Sequence, residues 1–536
     1  MYNVFYLYYV VFVHLLIGNA ILYRSSMIDR DKKDLLKNSG RIASFVNGKY
    51  CPHIFAVSLM LYYLGYLTAN KADYDLWGYL SFGKLFWENK GFPYYDVFSY
   101  MPTKTIWIYH EWLTGIIFFK IYQFIGMTGL QILRYSIGLT TVWLVYRCAI
   151  RHRAGYLAAF LALFLSCGLI ISGYAPVRAQ IFTYFFYALS IYILESARND
   201  GRWGRLWWLV LIQLVWCNLH GGFVAGLFIT GLYVLGEAIS GKKFWPYAGA
   251  LVFSTFITLI NPYGIKYWGY IYEAITMHRP FINEWISFFT ALKYKMFFYN
   301  NLLFMIMVFI SLILIVWHRK RNITALLVLT VTALLGFKHI RHMVFFALSF
   351  GIHMPVIFTA VWESFNNNPE IKSRWDRLRI PGFTLFFLLF VYITVSSSLN
   401  FILGSPFEIK TPSRQDQQAK IFYYPVGAVN YIKTHMLKGN VLPEFQWGEY
   451  IMWTCYPDCR VGMDGRYETV YPDRICDEYF NFIYGKPGWR TFLNKYPHDM
   501  IITEPDSIVH KLIQNETGWQ KAFEDKGSVL FVKKTS

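Results

Sequence analysis

Five carboxylates crowd one short stretch of this chain. Between Lys71 and Leu113 stand Asp73, Asp75, Glu88, Asp96 and Glu111, interleaved with Trp77, Trp87, Trp107 and Trp112. Asp73 and Asp75 have D-x-D spacing. On an extended segment alternate side chains share a face, so both carboxylates would point into one cavity. There one can act as a general base, or both can hold a divalent cation through oxygen ligands, with His220 as a further ligand. Two solvated loop acids are the plainer alternative. Glu111 lies in His110-Glu111-Trp112, where a helix begins. It is either a second catalytic carboxyl or an acid favoured by the helix dipole. Asp96 is either a substrate contact, together with His110, or a turn residue.

Cations accompany these acids at a distance in sequence. Arg178 precedes an apolar run, in Pro176-Val-Arg178-Ala-Gln180. Lys338, His339, Arg341 and His342 form a second basic group between two apolar runs. Such residues oppose the positive-inside rule if they face outward, and binding a donor phosphate with Arg178, Lys338 and Arg341 would account for them. Snorkelling to headgroups is the alternative. Asn218-Leu-His220-Gly-Gly222 joins two apolar runs with almost no loop. Asn218, His220 and Gln180 are candidate substrate contacts, although the glycines suit a tight hairpin equally. No Walker A loop, Rossmann glycine pattern, HExxH or haem motif occurs.

The elements that must position these groups are membrane-spanning helices. The 536-residue chain is 55% hydrophobic and 20% aromatic, with only 15% charged residues. Apolar runs near membrane-spanning length recur. The sequence predicts spans over 53–70, 128–149, 155–174, 181–197, 205–219, 222–239, 246–261, 300–317, 323–340, 343–361 and 382–402, with a further apolar segment over 2–23. The net charge of +19 does not indicate nucleic acid, because residues 403–536 hold equal numbers of basic and acidic residues and the excess sits in short loops of the apolar part. Those loops share one side, which the positive-inside rule makes cytoplasmic. This requires that residues 109–126 lie along the interface rather than cross. Trp77 is expected at headgroup level, fixing the height of Asp75.

Three regions follow: 1–50, an extra helix and basic segment; 51–402, a transmembrane catalytic domain with 71–113 as its first external loop; and 403–536, a soluble extracytoplasmic domain. The last alternates short apolar runs (Asn440–Leu442, Tyr450–Trp453, Met500–Ile502, Val529–Val532) with helical stretches, a small α/β pattern. An oxidising compartment could pair its Cys455 with Cys459.

Taken in order, Asp73-Tyr-Asp75-Leu-Trp77, Gly91-Phe-Pro93-Tyr-Tyr-Asp96-Val-Phe-Ser99, His110-Glu111-Trp112-Leu113, Arg178 with Gln180, Asn218-x-His220-Gly221, Asn261-Pro262-x-Gly264, Trp447-Gly-Glu-Tyr450 and Asp464-Gly-Arg466 resemble bacterial integral-membrane glycosyltransferases of the GT-C superfamily. The resemblance implies a polytopic helical core of about 11–12 transmembrane helices in the bacterial cytoplasmic membrane. It also implies an inverting transferase that takes sugar from a polyprenyl-phosphate donor to an extracytoplasmic glycan, lipid or protein, with the first-loop acids at the centre. The chain departs from the pattern at Gly78-Tyr79, where relatives often carry histidine, which weakens a metal role. A lipid-linked glycan flippase and a non-catalytic envelope assembly protein are the competing readings.

Overall fold

The computed structural model describes residues 51–89, 91–277, 279, 282–317, 322–367, 388–414 and 423–534. The expectations for residues 1–50 lie outside this set. The described chain is a helical bundle capped by a small mixed-sheet domain. In chain order the bundle helices are α1 Cys51–Tyr66, α2 Leu76–Glu88, α3 Trp112–Ile125, α4 Met127–Arg151, α5 Tyr156–Tyr174, α6 Gln180–Asp200, α7 Trp207–Leu219, α8 Val224–Ile239, α9 Trp245–Ile257, α10 Lys266–Thr276, α11 Phe288–Lys293, α12 Phe298–Trp317, α13 Ile323–Lys338, α14 Met343–Asn366 and α15 Leu388–Leu403.

Every span expected from the apolar runs coincides with one of these helices. Among the described residues, four stretches are long and apolar enough to cross a membrane: Tyr156–Tyr174, Gly221–Ile239, Phe298–Trp317 and Ile340–Phe365. Others are shorter, such as α7, or carry polar side chains inward. Arg134 of α4, for example, is buried and donates to the carbonyls of Leu67 and Ala175. A chain terminus is not needed to explain where helices stop. Gly126 has φ +72 and ψ −157, a conformation open to glycine alone, and it breaks the path between α3 and α4.

The C-terminal sheet domain holds β1 Gly439–Pro443, β2 Cys459–Val461, β3 Met500–Thr503, β4 Trp519–Glu524 and β5 Val529–Lys533 in the order β2-β1-β3-β5-β4. β1 runs parallel to β2 and β3, while β5 is antiparallel to β3 and β4. Around the sheet lie α16 Val426–Thr434, α17 Gly448–Cys455, α18 Tyr467–Val470, α19 Asp473–Ile483, α20 Trp489–Lys495 and α21 Ile508–Ile513. The Tyr450–Trp453 run belongs to α17. Cys455 and Cys459 carry free thiols.

The Lys71–Leu113 stretch is clamped between bundle and sheet. The Ala72 N–H donates to the Lys410 carbonyl at 2.8 Å, and the Lys410 N–H donates to the Asn70 carbonyl at 2.7 Å. Ser99 forms a parallel bridge to Val461. There the Val461 N–H reaches the Phe98 carbonyl at 2.9 Å, so the loop closes the exposed edge of β2. Trp77 does not stand at the interface. It is buried against Tyr424, Tyr450 and Trp453 of the C-terminal region, because a ring facing an aromatic partner domain is better covered there than by lipid headgroups. α2 and α3 meet at Gly83 and Gly115: a Cβ on Gly83 would lie 2.2 Å from the Gly115 carbonyl oxygen.

Candidate functional site

The D-x-D segment is a turn, not a strand. Asp75 takes a helical conformation as the residue before α2, and its N–H donates to Asp73 Oδ1 at 3.1 Å. Short acidic side chains stabilise such turns by accepting nearby backbone N–H groups. The two carboxylates still converge, because Arg178 draws them together. Its Nε donates to Asp73 Oδ1 at 2.5 Å and lies 3.3 Å from Asp75 Oδ2. Its Nη1 donates to Glu284 Oε1 at 3.0 Å. Arg178 reaches this place because it leads into α6 at the same end of the bundle where α1 hands over to α2.

The two aspartates differ in access. The Asp73 side chain is 8% exposed and committed to Arg178; that of Asp75 is 41% exposed. Asp75 sits among protein groups yet keeps part of its side chain exposed. Burial pushes its pKa up to about 6, with Arg178 opposing that shift. Burial, and then the charge of Asp75, raises Glu111 to about 8. Glu449 of α17 is pushed well above the usual carboxylate range by burial and by Asp75. It accepts the Gly78 N–H at 2.9 Å, and a Cβ on Gly465 would touch both Glu449 and Asp75. The sheet domain therefore stands directly against Asp75 and the start of α2.

Glu111 anchors a second cluster. His220 Nδ1 accepts the Gly222 N–H at 2.8 Å, so its proton sits on Nε2, which faces Glu111 Oε1 at 3.3 Å. Thr183 Oγ1 also lies 2.8 Å from that Nδ1. His110 Nε2 is 3.7 Å from the same Glu111 oxygen, and its Nδ1 is 2.8 Å from the Tyr270 hydroxyl. Burial lowers His110 to about 4 and takes His220 well below its ordinary value, so both rings are neutral. Asn218 accepts the Trp112 indole N–H at 3.1 Å and donates to the Ile260 and Leu214 carbonyls, holding the start of α3 against the ends of α7 and α9.

The cations expected on a phosphate are arranged unequally. Arg178 is surrounded by three carboxylates. Arg341 stacks on the Trp285 ring at 4.5 Å, opposite Arg279 at 4.3 Å, and among the described residues it has no carboxylate partner. Lys338, at the end of α13, is exposed and likewise unpaired among them. Arg279 donates to Glu468 Oε2 at 2.7 Å. Gln180 opens α6, half-buried, beside Arg178.

Asp96 is not placed for direct contact with a substrate. Its side chain is 1% exposed, accepting from Arg466 Nη1 at 2.6 Å and from the Ser99 N–H at 2.8 Å. Arg466 also forks onto Asp464 at 2.9 and 2.6 Å and stacks on Trp107. Sequence reasoning reached Glu449 and Asp464-Gly-Arg466 only as parts of motifs, without a role in the centre, and Glu284 joins them through Arg178. Among the described residues no three His, Cys, Asp or Glu side chains gather as a metal ligand set. A guanidinium stands between Asp73 and Asp75, and His220 pairs with Glu111. These residues, as placed, do not fit a cation.

No protein-family model matches the chain, and no curated protein matches it in sequence. Its fold is shared with solved structures. An oligosaccharyltransferase of Archaeoglobus fulgidus, tethered with an acceptor peptide, superposes with TM-score 0.51 at 11% identity over 92% of this chain and 75% of that one. ArnT from Cupriavidus metallidurans, bound to undecaprenyl phosphate, gives 0.50 at 14% identity over 89% and 97%. The mycobacterial arabinofuranosyltransferase AftD gives 0.50 at 11% identity, over 91% of this chain and 40% of the larger protein. The chain shares the fold of these solved structures.

Proposed function

We propose that the protein transfers a sugar from a polyprenyl-phosphate-linked donor to an acceptor hydroxyl or amide at the face bearing the sheet domain, with Asp75 as general base. The observation that carries this reading is the split between two carboxylates two residues apart. Asp73 is locked onto Arg178, while Asp75 is accessible and poised near neutrality. A base works best when its pKa lies near the operating pH. Two solved neighbours of the fold, one holding a lipid phosphate and one an acceptor peptide, support a lipid-linked donor and a separate acceptor.

In this mechanism Asp75 takes the acceptor's proton as the acceptor atom bonds to the anomeric carbon. The bond from that carbon to the phosphate oxygen breaks, and the lipid phosphate leaves with the electron pair. Attack from the face opposite the phosphate inverts the anomeric centre. Arg341 and Lys338, free of carboxylates among the described residues, meet the phosphate, and Arg178 adds its field while fixing Asp73. Positive groups aimed at developing charge lower the barrier without reorganising. Glu111, protonated at neutral pH, shapes the acceptor side with His110, His220, Asn218 and Gln180, and Asp96 acts through Arg466. No step runs through a metal. The one-sided basic loops support a reading in which the sheet domain lies outside the cytoplasm.

The test uses purified protein in liposomes with labelled polyprenyl-phosphate sugars, following sugar release or transfer. Asp75→Asn is expected to slow turnover about 10²- to 10⁴-fold. Glu88→Gln, which changes an exposed acid paired with Lys84 at 3.9 Å, leaves it unchanged. A flippase would move the donor uncleaved. Wild-type turnover in Asp75→Asn would remove the base from this reading.

A further inference from the structure

A cavity of about 460 Å³ lies at the far end of the helices that carry the site. Arg178 leads into α6 and Arg198 lies near its end. Lys338 closes α13 and Asn322 caps its start, accepting the Ala325 N–H. The cavity belongs to the Arg198 and Asn322 ends, so the bundle separates it from Asp75.

One wall is polar. Arg198 pairs with Glu237 at 2.9 Å and Glu195 at 3.5 Å, and His152 Nε2 lies 3.2 Å from Glu195. Tyr233 donates to Glu195 at 2.6 Å, and Thr324 donates to Glu237 at 2.8 Å. Both acids are therefore answered by cations and hydroxyls. Two other groups lining the cavity or its rim are not. Lys242 has no carboxylate partner among the described residues. His353, 4% exposed, has an Nε2 atom that is buried and without a hydrogen-bond partner among them. A buried polar atom left unpaired is destabilising, and a ligand that pairs with it recovers that loss. The excess over the paired charges is positive.

The other wall is apolar, formed by Ile315, Leu326, Val356 and Ile357. Ile315 belongs to α12, whose apolar window is only 22% buried, against 67% for α14. That flank faces outward, toward lipid. The volume falls within the range of small-molecule sites, which pair apolar walls with a few placed polar groups.

We propose that this cavity binds a phosphate-bearing headgroup of an amphipathic ligand. The phosphate sits at Lys242 and His353, and the apolar part runs along the α12 flank. The site is independent of the transfer centre. The test is calorimetric titration of the full chain in phosphatidylcholine nanodiscs with dihexanoyl phosphatidic acid and, separately, inorganic phosphate. Saturable phosphatidic acid binding is expected, weakened at least tenfold by Lys242→Gln and by His353→Gln, retained by Lys242→Arg and unchanged by Arg490→Ala, at an exposed pair remote from both sites. Tenfold tighter binding of phosphatidic acid than of phosphate identifies a lipid headgroup. Equal binding identifies a soluble phosphate compound and supports the headgroup chemistry alone. No saturable binding of either probe, wild-type affinity in both Gln variants, or loss only in Arg490→Ala would overturn the proposal.

Discussion

Asp75 and Glu111 act on each other through charge but hold their protons differently. Burial lifts both, to about 6 and about 8, and the negative charge of Asp75 adds to the shift of Glu111. When environment drives neighbouring acids apart in this way, their roles separate. Asp75 must be ionised to accept a proton, so turnover should rise as pH climbs through about 6. If the proton on Glu111 is needed, turnover should fall through about 8. A bell-shaped profile of kcat/KM with those limbs is expected, and Glu111→Gln should flatten the alkaline limb while leaving the acid limb in place. A profile with no alkaline limb would confine Glu111 to a structural role. The D-x-D pair was legible as chemistry because acids are costly beside a bilayer. Its conformation was not, since alternation assumes a strand and an aspartate can make its own turn. Glu284 and Glu449 were invisible as site residues for a simpler reason: they come from 106 residues beyond Arg178 and 371 beyond Gly78, with nothing local to mark them.

Helices announce themselves through runs of apolar residues, and here those runs fall on α1, α3 to α9 and α12 to α15 with small shifts at the ends, while α10 and α11 lie between the expected spans. What periodicity does not reveal is which element lies against which. α2 reads as part of a surface loop because its aromatic residues suit an interface. In the fold it is a buried shelf, packed between α3 and α17. Its closest approach is to α3 at Gly83 and Gly115. A methyl group at residue 83 would overlap the Gly115 carbonyl, so Gly83→Ala should push the helices apart. Overpacking of this kind costs about 1–3 kcal/mol. A lower unfolding temperature is expected, together with reduced turnover, since α2 carries Asp75 at its start. Gly91→Ala, where a Cβ meets open space, provides the control. Equal melting of both variants would mean that the bundle absorbs the methyl group without moving α2.

The whole molecule is joined across its two regions by charge as well as by sheet pairing. Arg466 of the sheet domain holds Asp464 beside it and Asp96 of the first loop, all three with side chains almost wholly enclosed. Removing one partner of such a group strands the others, at about 3–5 kcal/mol. Arg466→Ala should therefore lower the thermal midpoint sharply and loosen residues 91–101 to proteolysis, whereas Arg490→Ala, at an exposed pair with Glu516, should do neither. An unchanged midpoint in Arg466→Ala would show that the two regions stand without this tie. The same tie has a consequence in time. Asp96 leaves the ribosome 370 residues ahead of Arg466, which at cellular synthesis speeds is roughly 20–70 s. Throughout that interval the first loop is threaded beside the bundle with no arginine for Asp96, no sheet edge for Ser99 and no aromatic bed for Trp77. The surroundings of Asp75 are complete only when nearly the whole chain has been made, so a half-finished protein lacks the centre on which the proposed transfer depends.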